Sequence, residues 1–232
     1  MNDLTAILET LLWLAVTGVC YWLALQVFRV SGRNLLFHPI IITVLLVGLV
    51  LVLVDQDVAG YQRYVALLNW LLGPATVALA VPMYRQLHVV KTLGWRVVIP
   101  ILLGGIIAPL LALVTVKLFD PEVSLQMTIL AKSITTPLAM DVAEVIGGVP
   151  AMAAVIVILT GIVGAIVSPW VFKWLSPGNS VAQGIALGTV AHAVGTARAL
   201  QINSTTAALA SLSLCLNGVF TAIVLPLIFA NG

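Results

Sequence analysis

Apolar residues fill this chain in blocks of about 20, the length a helix needs to cross the hydrocarbon core of a bilayer. Six blocks are uninterrupted, at approximately 5–27, 35–54, 64–83, 97–116, 150–172 and 207–229, and each predicts a full transmembrane span. Two more, at approximately 121–147 and 181–202, are apolar enough to enter the membrane but are interrupted, the first by SITTP and the second by HAVGT. The fold class this predicts is an all-α polytopic membrane protein with six full spans plus two broken or re-entrant helical segments. No Ser/Gly linker, charge run or low-complexity tail sets off a soluble part, so residues 1–232 read as a single integral membrane domain.

Composition supports the class. Hydrophobic residues make up 62% and charged residues 8%, whereas soluble domains carry about 25% charged residues. The net charge of +2 comes without any basic, aromatic-interleaved patch, which excludes a nucleic-acid footprint. Cys20 and Cys215 each lie in an apolar run without CxxC spacing and read as small hydrophobes. The opening MNDLTAILE lacks a positive n-region, and the apolar stretch after it lacks a small-residue cleavage site and is long enough to span. It is therefore expected to be the first transmembrane helix.

Positive residues in short loops set the expected orientation. Arg29 and Arg33 follow the first span, and Arg85, Lys91 and Arg96 follow the third, whereas the loop DQDVAGYQR sets Asp55 and Asp57 against Arg63. Basic loops face the cytoplasm, so the N-terminus is expected outside, together with Lys117, Asp120 and Glu122. Trp22, Tyr61, Tyr84, Trp95, Trp170 and Trp174 fall near span ends, where amphipathic rings favour the interface.

Laying residues 151–172 on 208–229 reveals an internal repeat, with Gly161/Gly218, Ala165/Ala222, Pro169/Pro226 and Phe172/Phe229 among the identities. The same shift lays KSITTPLAMDVAE on TVAHAVGTARALQ, so each unit, approximately 121–175 and 181–232, is a broken segment followed by a full span. If each broken segment returns to its own side, the span after it gives the unit an odd number of crossings and the repeats are inverted. If both cross completely, the repeats are parallel. Inverted repeats are the expected arrangement.

Lys132, Asp141, Glu144, His192 and Arg198 all fall within these broken segments. A charge at the bilayer centre costs roughly 2.5–3.5 kcal/mol on insertion scales, so ionisable groups at that depth point to a polar site. A helix broken inside the membrane leaves free N–H groups and a positive dipole end, tolerable only against protein, water or substrate. Paired breaks in two repeats are a sequence pointer to a transporter's binding site.

Candidate roles follow from position. Thr136-Pro137 has the form of an N-cap followed by Pro at the first helical position, with Ser133 and Thr135 beside it. Thr196, just after Gly195, is the matching cap of the second break. Both helix ends would donate to an anion, with Lys132, His192 or Arg198 completing the site. Asp141 lies opposite Arg198 in the repeat, as a structural ion pair or as a coupling pair. Glu144 shares the helical face of Asp141, three residues on. His192 is the in-membrane group whose ordinary titration range lies near neutrality. Asn217 and Thr160 coincide in the repeat and read as helix-packing hydrogen bonds.

Catalytic motifs such as HExxH, GxSxG and Walker A are missing from the sequence, and three scattered histidines with two distant cysteines make no metal site. The chain is expected to be no enzyme and to use no cofactor or metal.

Four strings carry a family resemblance: LLGPATVALAVPMYRQ (71–86), AKSITTPLAMDVAEVIGGVP (131–150), ALGTVAHAVGTARALQ (186–201) and LNGVFTAIVLPL (216–227). They closely resemble the LrgB/CidB family of bacterial inner-membrane proteins, which has plastid relatives that exchange glycolate and glycerate. The resemblance implies a multi-pass protein of the bacterial inner membrane that acts as a carrier of a small monocarboxylate, with proton coupling a further expectation. Its alternative implication is an antiholin-like regulator of murein hydrolase activity and lysis. It also implies a small LrgA/CidA-type membrane partner, and a homo-oligomer is expected.

Overall fold

The computed structural model describes residues 3–32, 34, 37–78, 84, 91–175 and 178–230. Their helices, in chain order, are α1 (Asp3–Val30), α2 (Pro39–Val54), α3 (Val58–Tyr64), α4 (Ala66–Ala78), α5 (Trp95–Lys117), α6 (Val123–Leu130), α7 (Thr136–Val145), α8 (Pro150–Leu175), α9 (Ser180–Ala199) and α10 (Ser204–Phe229). No strand occurs among the described residues. The chain divides into two compact units, Met1–Ala75 and Thr76–Gly232.

Among the described residues four helices, α1, α5, α8 and α10, are each long and apolar enough to cross a membrane, and a fifth crossing is added if α2 and α3 count as one bent span. The six full spans expected from sequence are not confirmed among the described residues. At 35–54 the helix begins only at Pro39, whose missing N–H costs nothing in a first turn, and it ends after 16 residues where Asp55 turns left-handed at φ 55°. Asp57 then caps α3 by accepting from the Gly60 N–H, and the two helices meet at 113°. Of the block at 64–83, α4 covers residues up to Ala78, and 79–83 lie outside the described residues.

In the first unit α1 packs on α2 and α3. Trp13 meets Tyr61 edge to face at 5.5 Å, and the Tyr61 hydroxyl is hydrogen-bonded to Thr17 Oγ1 at 2.9 Å. Cys20, Val47, Leu51 and Val65 complete this cluster.

In the second unit α10 packs against α9, α5 and α7. The approach of α9 to α10 depends on small residues: a Cβ on Gly184 would lie 2.6 Å from the Thr206 carbonyl oxygen, and one on Gly188 would collide with that of Ala210. This is the small-xxx-small packing by which membrane helices bring their backbones together. Asn203 caps α10 by accepting from the Thr206 N–H and donates to Ser180 Oγ at 3.0 Å. The starts of α9 and α10 are thereby tied side by side.

Both broken segments double back. The Val149 N–H, beyond α7, donates to Thr128 Oγ1 on α6 at 2.8 Å, and a Cβ on Gly148 would lie 3.1 Å from Thr128 Cα. Had the segment run forward as one helix at 1.5 Å per residue, Gly148 would stand about 30 Å from Thr128. Within α9 the break is at His192, and a Cβ on Gly195 would strike the carbonyl oxygen of Leu187, eight residues earlier. In an unbroken helix those residues would lie about 12 Å apart.

Candidate functional site

The first break begins where α6 ends at Leu130. Residues 131–135 are nonhelical, and the N-cap of α7 is Thr135, with φ −70° and ψ 151°. The expected cap at Thr136 thus moves back by one residue, and Thr136 and Pro137 open the helix instead. The Thr135 hydroxyl makes no capping bond and is buried without a partner. Ser133 is 1% exposed, and its hydroxyl accepts from Lys132 Nζ at 3.2 Å. Among the described residues no carboxylate pairs with Lys132.

The second break falls at His192, where the sequence reading placed it at Gly195-Thr196. His192 has φ 38° and ψ −122°, a conformation that costs about 1–3 kcal/mol for a non-glycine residue. Its neighbours hold it there. A Cβ on Gly161 of α8 would lie 2.8 Å from His192 Cε1, and one on Gly164 would lie 2.9 Å from Ala191 Cβ. The imidazole is hydrogen-bonded to the backbone of Lys132 and lies within electrostatic reach of its ammonium. Thr196 is no cap, because its hydroxyl donates back to the His192 carbonyl at 2.9 Å. Gly195 lies inside the second half of α9, where it allows that half to fold onto the first.

One side chain ties the breaks together. Asn217 Nδ2, on α10, donates to the Ser133 carbonyl at 2.7 Å and to the Thr189 carbonyl at 3.3 Å. Asn217 is 1% exposed and sits at the middle of a 26-residue helix. Gly105, near the middle of α5, leaves room for it, since a Cβ there would collide with Asn217 Oδ1. Four buried polar atoms around the breaks have no hydrogen-bond partner: Thr135 Oγ1, Thr189 Oγ1, His192 Nε2 and Asn217 Oδ1. A buried polar group without a partner costs about 1–3 kcal/mol, so four together make the breaks the candidate site.

Of the residues expected from sequence, Lys132, Ser133, Thr135 and His192 are gathered here, with Thr136 at the start of α7. Asp141 and Glu144 are not, since both are exposed on α7. The physical reason is that Ala139, Val142 and Ala143 form the inward face of α7, and the acidic residues fall on the other side. Arg198 donates to Gln201 at 2.7 Å and lines a separate cleft with Lys173, so its expected pairing with Asp141 does not form. Asn217, Thr189, Gly105 and Gly161 are site residues that the sequence reading missed. The available signal was Asn217 itself, a lone amide in an apolar span.

Outside the spans, His38 accepts from the Ile40 N–H as the N-cap of α2, and its burial lowers its pKa from the ordinary 6.5.

These features define a multi-pass helical membrane protein whose polar centre is assembled from two interrupted helices. The chain belongs to the LrgB-like family, whose profile matches residues 17–231. It is 35% identical over 193 residues to the uncharacterized protein YwbG of Bacillus subtilis, covering 83% of this chain and 85% of that protein. An uncharacterized protein of Haemophilus influenzae is 33% identical over 210 residues, 90% of each chain. The antiholin-like protein LrgB of Bacillus cereus is 27% identical over 215 residues, 92% of this chain and 93% of its own. No solved structure matches the chain.

Proposed function

We propose that this protein is a secondary carrier of a small monocarboxylate, working by alternating access of two inverted repeats around the paired breaks. The observation that carries the reading is Asn217 holding both breaks at once, beside a lysine with no carboxylate partner. With Asp141, Glu144 and Arg198 outside it, the centre holds, among the described residues, one lysine, Lys132, together with hydroxyls, an amide and the N-terminus of α7. One positive charge with convergent donors suits a compact monoanion of the glycolate, glycerate or pyruvate kind.

Reciprocal packing supports the inverted repeats. Gly161, on the span of the first repeat (121–175), receives His192 and Val194 of the second break, and its mate Gly218, on the span of the second repeat (181–232), receives Leu138 just after the first break. Each repeat's span thus holds the other repeat's break. Because each broken segment returns toward its own start, one crossing follows each, and the two repeats run in opposite senses. On this reading the N-terminus faces outward, and Arg96 at the start of α5 and Lys173 at the end of α8 face the cytoplasm of a bacterial inner membrane.

A second reading is favoured by the name of the Bacillus cereus relative, antiholin-like protein. It makes the chain a regulator of lysis acting with a small LrgA/CidA-type membrane partner. The test is uptake by purified protein in vesicles, with and without that partner and a pH gradient, using glycolate, glycerate, lactate and pyruvate. The carrier reading expects saturable uptake that Lys132→Ala abolishes. No saturable uptake from a folded preparation, or uptake indifferent to both Lys132→Ala and Asn217→Ala, overturns it and leaves the regulatory reading.

A further inference from the structure

Arg198 occupies a second polar place, away from the breaks. It lines a cleft of about 300 Å³ with Lys173, Ser168, Gln183 and Gly178, and no carboxylate is among the lining residues. Two cations facing one recess without a counter-charge repel each other unless an anion sits between them. Arg198 spends one donor on Gln201, while its Nε is buried with no partner. A planar guanidinium with a free Nε–H edge is shaped to bind a phosphate or carboxylate through two parallel bonds.

The surroundings indicate which anion. Lys173 is in the last turn of α8, between Trp170 and Trp174, which are 63% and 84% exposed. Tryptophan at a span end sits at headgroup level, and a lysine there reaches the same layer. The recess therefore opens where phosphates of lipid headgroups lie, with Phe172, Pro169 and Ile202 supplying an apolar floor for the start of an acyl chain.

We propose that the Lys173–Arg198 cleft binds the phosphate of an acidic phospholipid, as a site distinct from the paired breaks and independent of what the protein transports. Arg198 takes the phosphate oxygens through Nε and its free Nη, and Lys173 neutralises the remaining charge as a point cation.

The test uses the full chain, purified and reconstituted in nanodiscs of phosphatidylcholine with a stepwise fraction of phosphatidylglycerol, with lipid retention read by native mass spectrometry. The wild type is expected to retain phosphatidylglycerol over phosphatidylcholine. Arg198→Gln and Lys173→Gln should each weaken that preference about tenfold or more, the scale of losing a hydrogen bond to a charged group. Lys173→Arg should retain it, and Lys117→Gln, on another span end, should leave it unchanged. Soluble glycerol 3-phosphate is run as a competitor. Displacement of the lipid by millimolar glycerol phosphate, or binding of that anion with no lipid preference, would overturn the lipid assignment. So would equal retention of both lipids by the wild type, or Lys117→Gln weakening the preference as much as Arg198→Gln. Because a failed fold could mimic the loss, each variant must show the wild-type elution profile and helix content, and the loss must appear in a variant that does.

Discussion

Asn217→Leu isolates the contact that organises the centre. The substitution keeps the branched shape of the side chain while adding bulk against Gly105, and it withdraws both donors from the Ser133 and Thr189 carbonyls, which face Asn217 Nδ2 at 2.7 and 3.3 Å. A carbonyl left buried without a partner costs about 1–3 kcal/mol. Measured side-chain hydrogen bonds between membrane helices average nearer 0.6 kcal/mol, because the unfolded state inside the membrane also finds partners. Those averages come from regular helices. Here one carbonyl belongs to a break with no helical partner to fall back on and the other directly precedes a second break, so a loss of about 2–4 kcal/mol is expected, a shift of roughly 30- to 700-fold in the folding equilibrium. Equilibrium unfolding in mixed micelles, followed by tryptophan fluorescence, measures the loss. Thr160→Val, at the repeat-equivalent position, serves as the control and should stay within about 0.5 kcal/mol. Hydrogen exchange adds a local readout, with amides at 131–135 and 189–193 opening faster in Asn217→Leu. The reasoning is refuted if Asn217→Leu matches Thr160→Val in stability and the exchange at both breaks is unchanged.

Gly105→Ala should drive its new methyl into Asn217 Oδ1 and cost about 1–3 kcal/mol, while Gly18→Ala, with nothing within 4 Å, should gain about 0.5–1 kcal/mol from helix propensity; the same unfolding assay ranks the two, and equal effects would count against the packing argument. Thr128→Val removes the acceptor for the Val149 N–H and should cost about 1–3 kcal/mol, with faster exchange of that amide as the direct check. His38 has a folded pKa below its ordinary value, so its contribution is fully present above about pH 6.5 and is lost as pH falls from there through the folded pKa, since the unfolded chain binds the proton more readily. Stability measured between pH 7.5 and 5 should therefore fall less steeply in His38→Asn, which keeps a cap acceptor without a titrating group; an identical slope would show that His38 is not the source.

How much of this was legible in the chain depends on the kind of interaction. Hydropathy and length alone placed α1, α5, α8 and α10, because a bilayer asks only for apolar residues over a given distance. The repeat located the two interruptions, and Pro137 and the surrounding hydroxyls marked the first break to within a residue, because a proline's missing N–H is a local property. The second break was misplaced onto Gly195-Thr196. Glycine there proved to be needed for close approach to Leu187, and the strained residue is His192, whose conformation is imposed by Gly161, Gly164 and the Lys132 backbone from other helices. Helical period puts Asp141 and Glu144 on one face but does not say what that face meets, and the tertiary structure turned it away from the centre. Arg198 met Lys173 for the same reason. The role of Asn217 could be decided only by folding, since an amide in an apolar helix is a packing bond or a keystone according to which two carbonyls stand opposite it, and those belong to residues 84 and 28 positions away in the chain.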